Sequence, residues 1–229
     1  HIIEDHVGQV MEYLKNLPYQ FEVFIVDDSS YDSTPKLIAE LSARYDNLKC
    51  IRYENGPSRR ENLVKSFRHA NGEIIMFMDM DLSTPLHFIP PLLSGIEEGY
   101  DIVTGSRHIK GSHPKRKLTR YIISGLFKYF VRFYFGSRVA DHECGFKAFR
   151  REVIFDLMDE LGYDSERKRR MFWDAEMFIR AQRKKYKIKE IPVDWTEGKK
   201  SALKILTEVS MIPYVLNLKK RLRDENKKA

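Results

Sequence analysis

The stretch "GEIIMFMDMDLSTP" (72–85) decides how the chain is read. Five apolar residues, Ile74 to Met78, run straight into Asp79 and Asp81, then into a polar turn and Pro85. A short continuous apolar run bounded by turn signals is the pattern of a strand buried on both faces. Ser83, Thr84 and Pro85 then start a helix, with hydroxyls to cap it and a proline suited to its first turn. In an extended segment residues i and i+2 project to one side. Asp79 and Asp81 so placed can grip one hard divalent cation, Mg²⁺ or Mn²⁺, which takes oxygen ligands and shares them with phosphate. The plainer reading is a solvated strand end and a turn acid; the apolar strand and capped helix around the pair favour the metal.

The same grammar repeats on both sides. "FEVFIVDD" (21–28) is a second apolar strand ending in acids, Asp27 and Asp28. A carboxylate there accepts from a nucleobase N–H or a ribose hydroxyl, or else serves a turn or a helix cap. "STPKLIAELSARY" reads as a helix capped by Ser33 or Thr34, "NLKCIRYE" as a strand, 58–70 as a helix, and "YDIVTGS" (100–106) as a further strand. Strands alternating with helices over short connections predict a parallel, doubly wound sheet. Ligands of such sheets sit beyond the carboxyl ends of the strands. Asp27, Asp28, Asp79, Asp81 and the Gly105-Ser106-Arg107 run all fall there.

The second half is organised differently. Residues 108–117 are basic and turn-rich, which predicts a mobile loop. Residues 118–136 are apolar and aromatic with Arg120, Lys128 and Arg132 interspersed, suiting a helix in a membrane interface or a core helix with a wide apolar face. A helix follows over 151–161, then a charged linker, "DSERKRR", a helix over "FWDAEMFIRAQRKKY", a strand over "KIKEIPVDW" and an amphipathic helix over 201–223. One α/β domain over 1–200 with a C-terminal helix and charged tail over 201–229 is the expected organisation.

Composition narrows the partners. The 229 residues carry a net charge of +7, which favours anionic ligands or surfaces. Arginine and lysine alternate with acids along the chain and no nucleic-acid motif occurs, so nucleic acid is not the expected partner. Cys50 and Cys144 have neither zinc spacing nor a disulfide framework and suit a reducing, cytosolic setting. No run of about 18 apolar residues is present. The chain opens in mid-helix pattern, "HIIEDHVGQVMEYL", which suggests a preceding natural segment.

Taken in order, these motifs resemble family 2 glycosyltransferases of the GT-A fold. "VFIVDDSSYDST" resembles the family's "VVDDGSxDGT", and "GEIIMFMDMDLSTP" its strand and D-x-D metal motif. The "DLSTP" extension, "VTGSRH", the Arg120-x-x-x-Ser124 pair and "DHECGFKAFR" resemble the dolichyl- and polyprenyl-phosphate glucose and mannose synthases. "FWDAEMFIRAQRKKYKIKEIPVDW" is similar to their "DxELLxxAxxxGYxIxEVPVxW". The likeness spans roughly residues 20–205. It implies a GT-A, Rossmann-like, mostly parallel sheet flanked by helices. It also implies inverting transfer of a hexose from a nucleotide sugar, UDP-glucose first and GDP-mannose second, to a dolichyl or polyprenyl phosphate. Asp79 and Asp81 would hold Mg²⁺ or Mn²⁺, and Asp27 and Asp28 would lie along the nucleoside. Arg107 and Arg120 would face the acceptor phosphate, where a guanidinium fork binds bidentately. Asp174 and Glu176 would be acids near the acceptor, Glu176 the more regular in the family, with one of them facing the site because i and i+2 on a helix do not share a face; a surface ion pair with Arg180 or Lys184 is the alternative. Lys147 would touch phosphate or cap the sheet edge. A peripheral protein at the cytoplasmic membrane face is expected. A soluble glycan or protein acceptor, and a non-catalytic Mg-binding receiver-like module, are the alternatives.

Three departures stand out. The family's first strand, with its "PxYNE" motif, has no counterpart in the chain. His142 and Glu143 replace a Thr or Ser and a Gln. "ENGPSRRENLVKSF" replaces "NxGKGxAxxxG", with Arg59 or Arg60 as the source of positive charge.

Overall fold

The structure, a computed structural model, describes residues 2–58, 60–166, 168–197 and 210–227. The elements run α1 (Ile2–Lys15), β1 (Val23–Asp27), α2 (Thr34–Arg44), β2 (Leu48–Arg52), α3 (Glu61–Ser66) and β3 (Ile74–Met78). They continue with α4 (Ile89–Glu97), β4 (Ile102–Ser106), β5 (His113–Lys115), α5 (Leu118–Phe135), β6 (Phe146–Arg150) and α6 (Arg151–Leu161). The last are α7 (Trp173–Arg183), β7 (Ile188–Pro192), β8 (Asp194–Thr196) and α8 (Ile212–Asn226).

The central sheet has the order β3-β6-β4-β7, and β1 pairs in parallel with β2 in a separate ladder. β4 and β7 are parallel, but β6 runs antiparallel to both β3 and β4. The mostly parallel sheet implied by the resemblance is present, with β6 its one reversed strand among the described residues; the wholly parallel reading of the strand–helix alternation fails at this strand. After α5 the chain climbs along β7, where Ala140 and Asp141 donate their N–H groups to Glu190, and enters β6 from the end where β3 finishes. It can only run in reverse. Among the described residues, the other edges of β1 and β3 carry no strand partner.

Period-two alternation divides the core. Ile75, Phe77, Ile102 and Phe149 point to one face and pack with Val153, Leu157, Trp173, Met177 and Phe178 from α6 and α7. Val103, Phe146, Ala148 and Ile191 point to the other, against Ile89, Leu92 and Ile96 of α4. Lys147 falls on the first face, fully buried among the aromatics. A third cluster joins α5, α7 and α8 through Val131, Ala175, Ile179, Val215, Leu218 and Leu222.

Four local expectations change. The basic loop is not free: β5 pairs in parallel with β8. The "DSERKRR" linker is not all solvated, because Arg169 is buried 3.3 Å from Glu61. Ser33 makes no cap; Asp32 accepts from the Thr34 N–H instead, at 2.9 Å. The C-terminal helix is described from Ile212, and the part of the expected 201–223 helix before Ser210 lies outside the described residues.

The loop into β6 has a pH-sensitive joint. His142 is buried between the rings of Phe127 and Phe178, with Nε2 2.8 Å from the Ser137 hydroxyl. Burial holds its pKa down at about 4, against Asp141 pulling the other way. The unfolded chain therefore binds this proton first as pH falls. The native contribution is complete above the ordinary histidine pKa and is lost as pH drops from about 6.5 to about 4. Urea titrations across that window should show wild type losing on the order of 3 kcal/mol more than His142→Gln. Parallel curves for the two proteins would show that His142 is not a buried neutral ring.

Candidate active site

The end of β3 is organised around a missing side chain. The Asp79 N–H donates to the Gly145 carbonyl at 3.0 Å, and a Cβ on Gly145 would lie 1.9 Å from Asp79 Oδ2. Only glycine lets the carboxylate lie against the loop. The Asp79 side chain remains 47% exposed, so a ligand can reach it. Its Oδ1 accepts from Arg60 Nη1 at 3.2 Å, while Arg60 Nε donates to Asp174 Oδ2 at 3.0 Å. Asp174 Oδ1 accepts from Lys147 Nζ at 2.7 Å, and Lys147 also donates to the Cys144 carbonyl. Lys147, Asp174, Arg60 and Asp79 thus alternate in sign from the sheet interior to the surface. Burial pushes the Asp174 pKa up, but Lys147 and Arg60 outweigh it and hold the carboxyl below its usual range.

Asp81 sits beyond a turn. Leu82 N–H bonds the Asp79 carbonyl at 3.2 Å and Leu82 has φ +50°, so the pair is not on an extended strand, as the i, i+2 argument assumed. Asp81 Oδ1 accepts from the Ser83 N–H at 3.0 Å; the side chain is exposed and its other oxygen has no partner among the described residues. No group of three or more His, Cys, Asp or Glu with metal-binding geometry occurs among the described residues. Two exposed, hard carboxylates two residues apart nonetheless fit a Mg²⁺ or Mn²⁺ that completes its shell with phosphate oxygens and water.

Of the expected arginines, Arg107 pairs with the first residue of the same loop. Arg107 forms a fork with buried Asp141: Nε to Oδ2 at 2.7 Å and Nη2 to Oδ1 at 2.8 Å, with the Arg107 backbone N–H also on Oδ2. Burial and this pairing oppose each other, and the pairing wins: the Asp141 carboxyl lies far below its ordinary range and Arg107 above its own. Arg107 is therefore not the open phosphate fork that the motif suggests; two of its nitrogens are taken. Arg120 lies 3.4 Å from Glu197. Ser124, its expected companion, accepts instead from Arg116 at 2.8 Å. Arg116 was missed in the sequence because it sits in the stretch read as loose. Its Nε and Nη2 are buried with no hydrogen-bond partner, its cation lies 5.0 Å from the Tyr121 ring, and burial and then Arg107 depress its pKa. The only sequence signal for it is its place four residues before Arg120.

Four expected ligand groups are engaged inside the protein. Asp27 is buried and pairs with Arg52 and the Ser30 N–H. Asp28 accepts from the Ser58 N–H, the Ser58 hydroxyl and Asn62, so it anchors the entry to α3. Lys147 has no exposed surface and reaches a ligand only through Asp174. Glu176 is turned away from Asp174 on α7: it accepts from Arg180 at 3.0 Å and from Tyr214 of α8 at 2.6 Å. The structure brings Asp79, Arg60, Asp174 and Lys147 into one network; it does not bring Glu176 there.

This arrangement can be set beside known proteins. The family model described as Glycosyl transferase family 2 matches residues 4–157. Glycosyltransferase AglD of Haloferax volcanii is 34% identical over 196 residues, covering 84% of this chain and 31% of that protein. The dolichyl-phosphate beta-glucosyltransferase of Saccharomyces cerevisiae is 28% identical over 211 residues, 81% of this chain and 60% of that one. The chain thus spans 31% of the length of the first of these relatives and 60% of the second. Among solved structures, glucosyl-3-phosphoglycerate synthase from Mycobacterium tuberculosis, in complex with Mn²⁺, UDP-glucose and phosphoglyceric acid, superposes with a TM-score of 0.56 at 20% identity. That match covers 90% of this chain and 70% of that one, and supports the GT-A fold. The chain belongs to glycosyl transferase family 2.

Proposed function

We propose that the protein moves a hexose, with inversion, from a nucleotide sugar to a dolichyl or polyprenyl phosphate. UDP-glucose is the first donor and GDP-mannose the second. The observation that carries this reading is one loop, Asp141 to Lys147, which seats the exposed Asp79 carboxylate against Gly145 and pairs Asp141 with Arg107, with Arg116 within electrostatic reach of both members of that pair. A donor diphosphate and an anionic acceptor need those two environments side by side. Asp79 and Asp81 would hold Mg²⁺ or Mn²⁺, which offsets charge on the departing nucleoside diphosphate. An acceptor phosphate oxygen forms the new bond to the anomeric carbon as the bond from that carbon to the donor diphosphate breaks. The acceptor is already anionic, so positioning and electrostatics do the work, and no buried acid need take a proton. The names of the dolichyl-phosphate relatives support the lipid acceptor.

The lipid reading also draws on α5. Leu118, Tyr121, Ile122, Leu126, Tyr129 and Phe133 are all more than half exposed on this helix. Such a face suits the interface of a bilayer, with the polyprenyl tail staying in the lipid and Arg116 and Arg120 at the helix's first end. No helix among the described residues is long and apolar enough to cross a membrane. The contact we propose is peripheral, at the cytoplasmic face.

Radiolabelled UDP-glucose, Mn²⁺ and a polyprenyl phosphate should give label in the organic phase; label confined to the aqueous phase would refute the lipid acceptor. Asp81→Asn keeps an oxygen for the Ser83 N–H and should fold normally, yet bind Mn²⁺ at least tenfold more weakly by paramagnetic resonance. Gly145→Ala should do the same by displacing Asp79. Unchanged Mn²⁺ affinity in both variants would remove the metal from this site. Arg107→Ala leaves the buried Asp141 charge unpaired and should cost about 3–5 kcal/mol in denaturant unfolding. A fully stable variant with weakened acceptor kinetics would instead make Arg107 a phosphate ligand alone.

A further inference from the structure

A cleft of about 810 Å³ opens at the opposite end of the sheet from Asp79, where α5, α7 and α8 converge on the start of β7. Five cationic side chains line it: Arg138, Arg183, Lys185, Lys219 and Arg223. Against them stands one lining carboxylate, Glu190, which already accepts the Ala140 and Asp141 N–H groups. Lys219 lies 3.9 Å from the Tyr134 ring centre, and Arg183 lies 3.5 Å from Glu225. Arg138, Lys185 and Arg223 are exposed and have no acid within ion-pair distance among the described residues.

Lys185 is the telling member. It follows α7 at φ +62°, in the turn where its N–H returns to the Gln182 carbonyl and that of Tyr186 to the Ala181 carbonyl. This is the left-handed position at which helices favour glycine. The family pattern "AxxxGYxI", set against "AQRKKYKI", also has glycine there. The chain instead keeps a cation in a strained backbone conformation beside four others. Backbone strain held in this way is a reason to look for a ligand.

The geometry also says what the ligand is attached to. The exposed face of α5 runs into the cleft: Phe133 is 80% exposed, Phe130 stacks on Tyr134 at 5.2 Å, and Tyr134 and Phe135 line the cleft. The 18 residues of α5 span about 27 Å, so the cleft is a helix length from Arg116 and Arg120 and is separate from the acceptor end. We propose that it binds the phosphate headgroup of an anionic phospholipid while the apolar face of α5 lies on the bilayer. This rests on α5 as a membrane-facing helix, and adds a second anchor that orients it.

Flotation of the full chain on vesicles separates the two claims. Wild type should bind phosphatidylcholine vesicles weakly and vesicles containing phosphatidylglycerol more tightly. Lys185→Gly removes the cation and the strain together, so its melting temperature should hold or rise. It should lose about fivefold in affinity for the anionic vesicles and nothing on the neutral ones. The triple variant Arg138→Gln, Lys185→Gly, Arg223→Gln should bind both vesicle types alike. A preference for anionic vesicles that survives in the triple variant, or an absence of preference in wild type, overturns the proposal. So does release of wild type from anionic vesicles by equimolar glycerol phosphate, which would make the cleft a site for a soluble phosphate ester. Phe133→Gln should weaken binding to both vesicle types. If it changes neither while the cation dependence stands, the reading of α5 fails and the cleft remains the only anchor.

Discussion

A lysine with no exposed surface sits in the middle of a β-sheet, and the site is arranged around the need to neutralise it. Lys147 lies on β6 opposite Phe77 and Thr104, with the rings of Phe77 and Phe178 just over 5 Å from its ammonium. Aromatic faces and the Cys144 carbonyl do not cancel a buried charge; Asp174 does. A buried pair of this kind gives little net stability over apolar residues, but removing one partner costs about 3–5 kcal/mol. The pair therefore fixes α7 against β6. Asp174 has a second oxygen, and it holds Arg60, which in turn reaches Asp79. The orientation of a surface carboxylate is set from the core outward.

The seven residues from Asp141 to Lys147 concentrate the rest. Asp141 fixes Arg107, His142 wedges between α5 and α7, the Cys144 carbonyl takes Lys147, and Gly145 makes room for Asp79. Each task demands a different residue type, and they fall within one short loop because β6 enters the sheet from the ligand end. The reversed strand is what delivers the loop there. A parallel β6 would carry the same residues to the far end of the sheet.

This explains what the sequence disclosed and what it withheld. The strand that ends at Asp79 was legible because an apolar run of five residues has few readings, and helix α6 was legible over about 151–161. The direction of β6 was not, since "GFKAFR" alternates identically whichever way it runs. The burial of Lys147 and Asp27 was not legible, because charge in a sequence suggests solvent, whereas these side chains are buried by partners 27 and 25 positions away. For Asp28 the alternative of a turn or cap is the one seen, with Ser58 and Asn62 as its partners. Arg116 was overlooked because a turn-rich composition hid a short strand, β5, that only its pairing with β8 stabilises. Local pattern reveals elements; it does not reveal long-range charge pairing.

The two acids on α7 show how far that distinction reaches. Asp174 and Glu176 are both buried, each between cations, on different faces of one helix turn. Residues two apart on a helix do not share a face, and in this structure only Asp174 joins the network that reaches Asp79. Asp174 is held ionised by two cations, and protonating it would sacrifice both ion pairs. In this structure both acids serve the architecture: Asp174 locks the sheet to the site through Lys147, and Glu176 ties α7 to α8 through Tyr214.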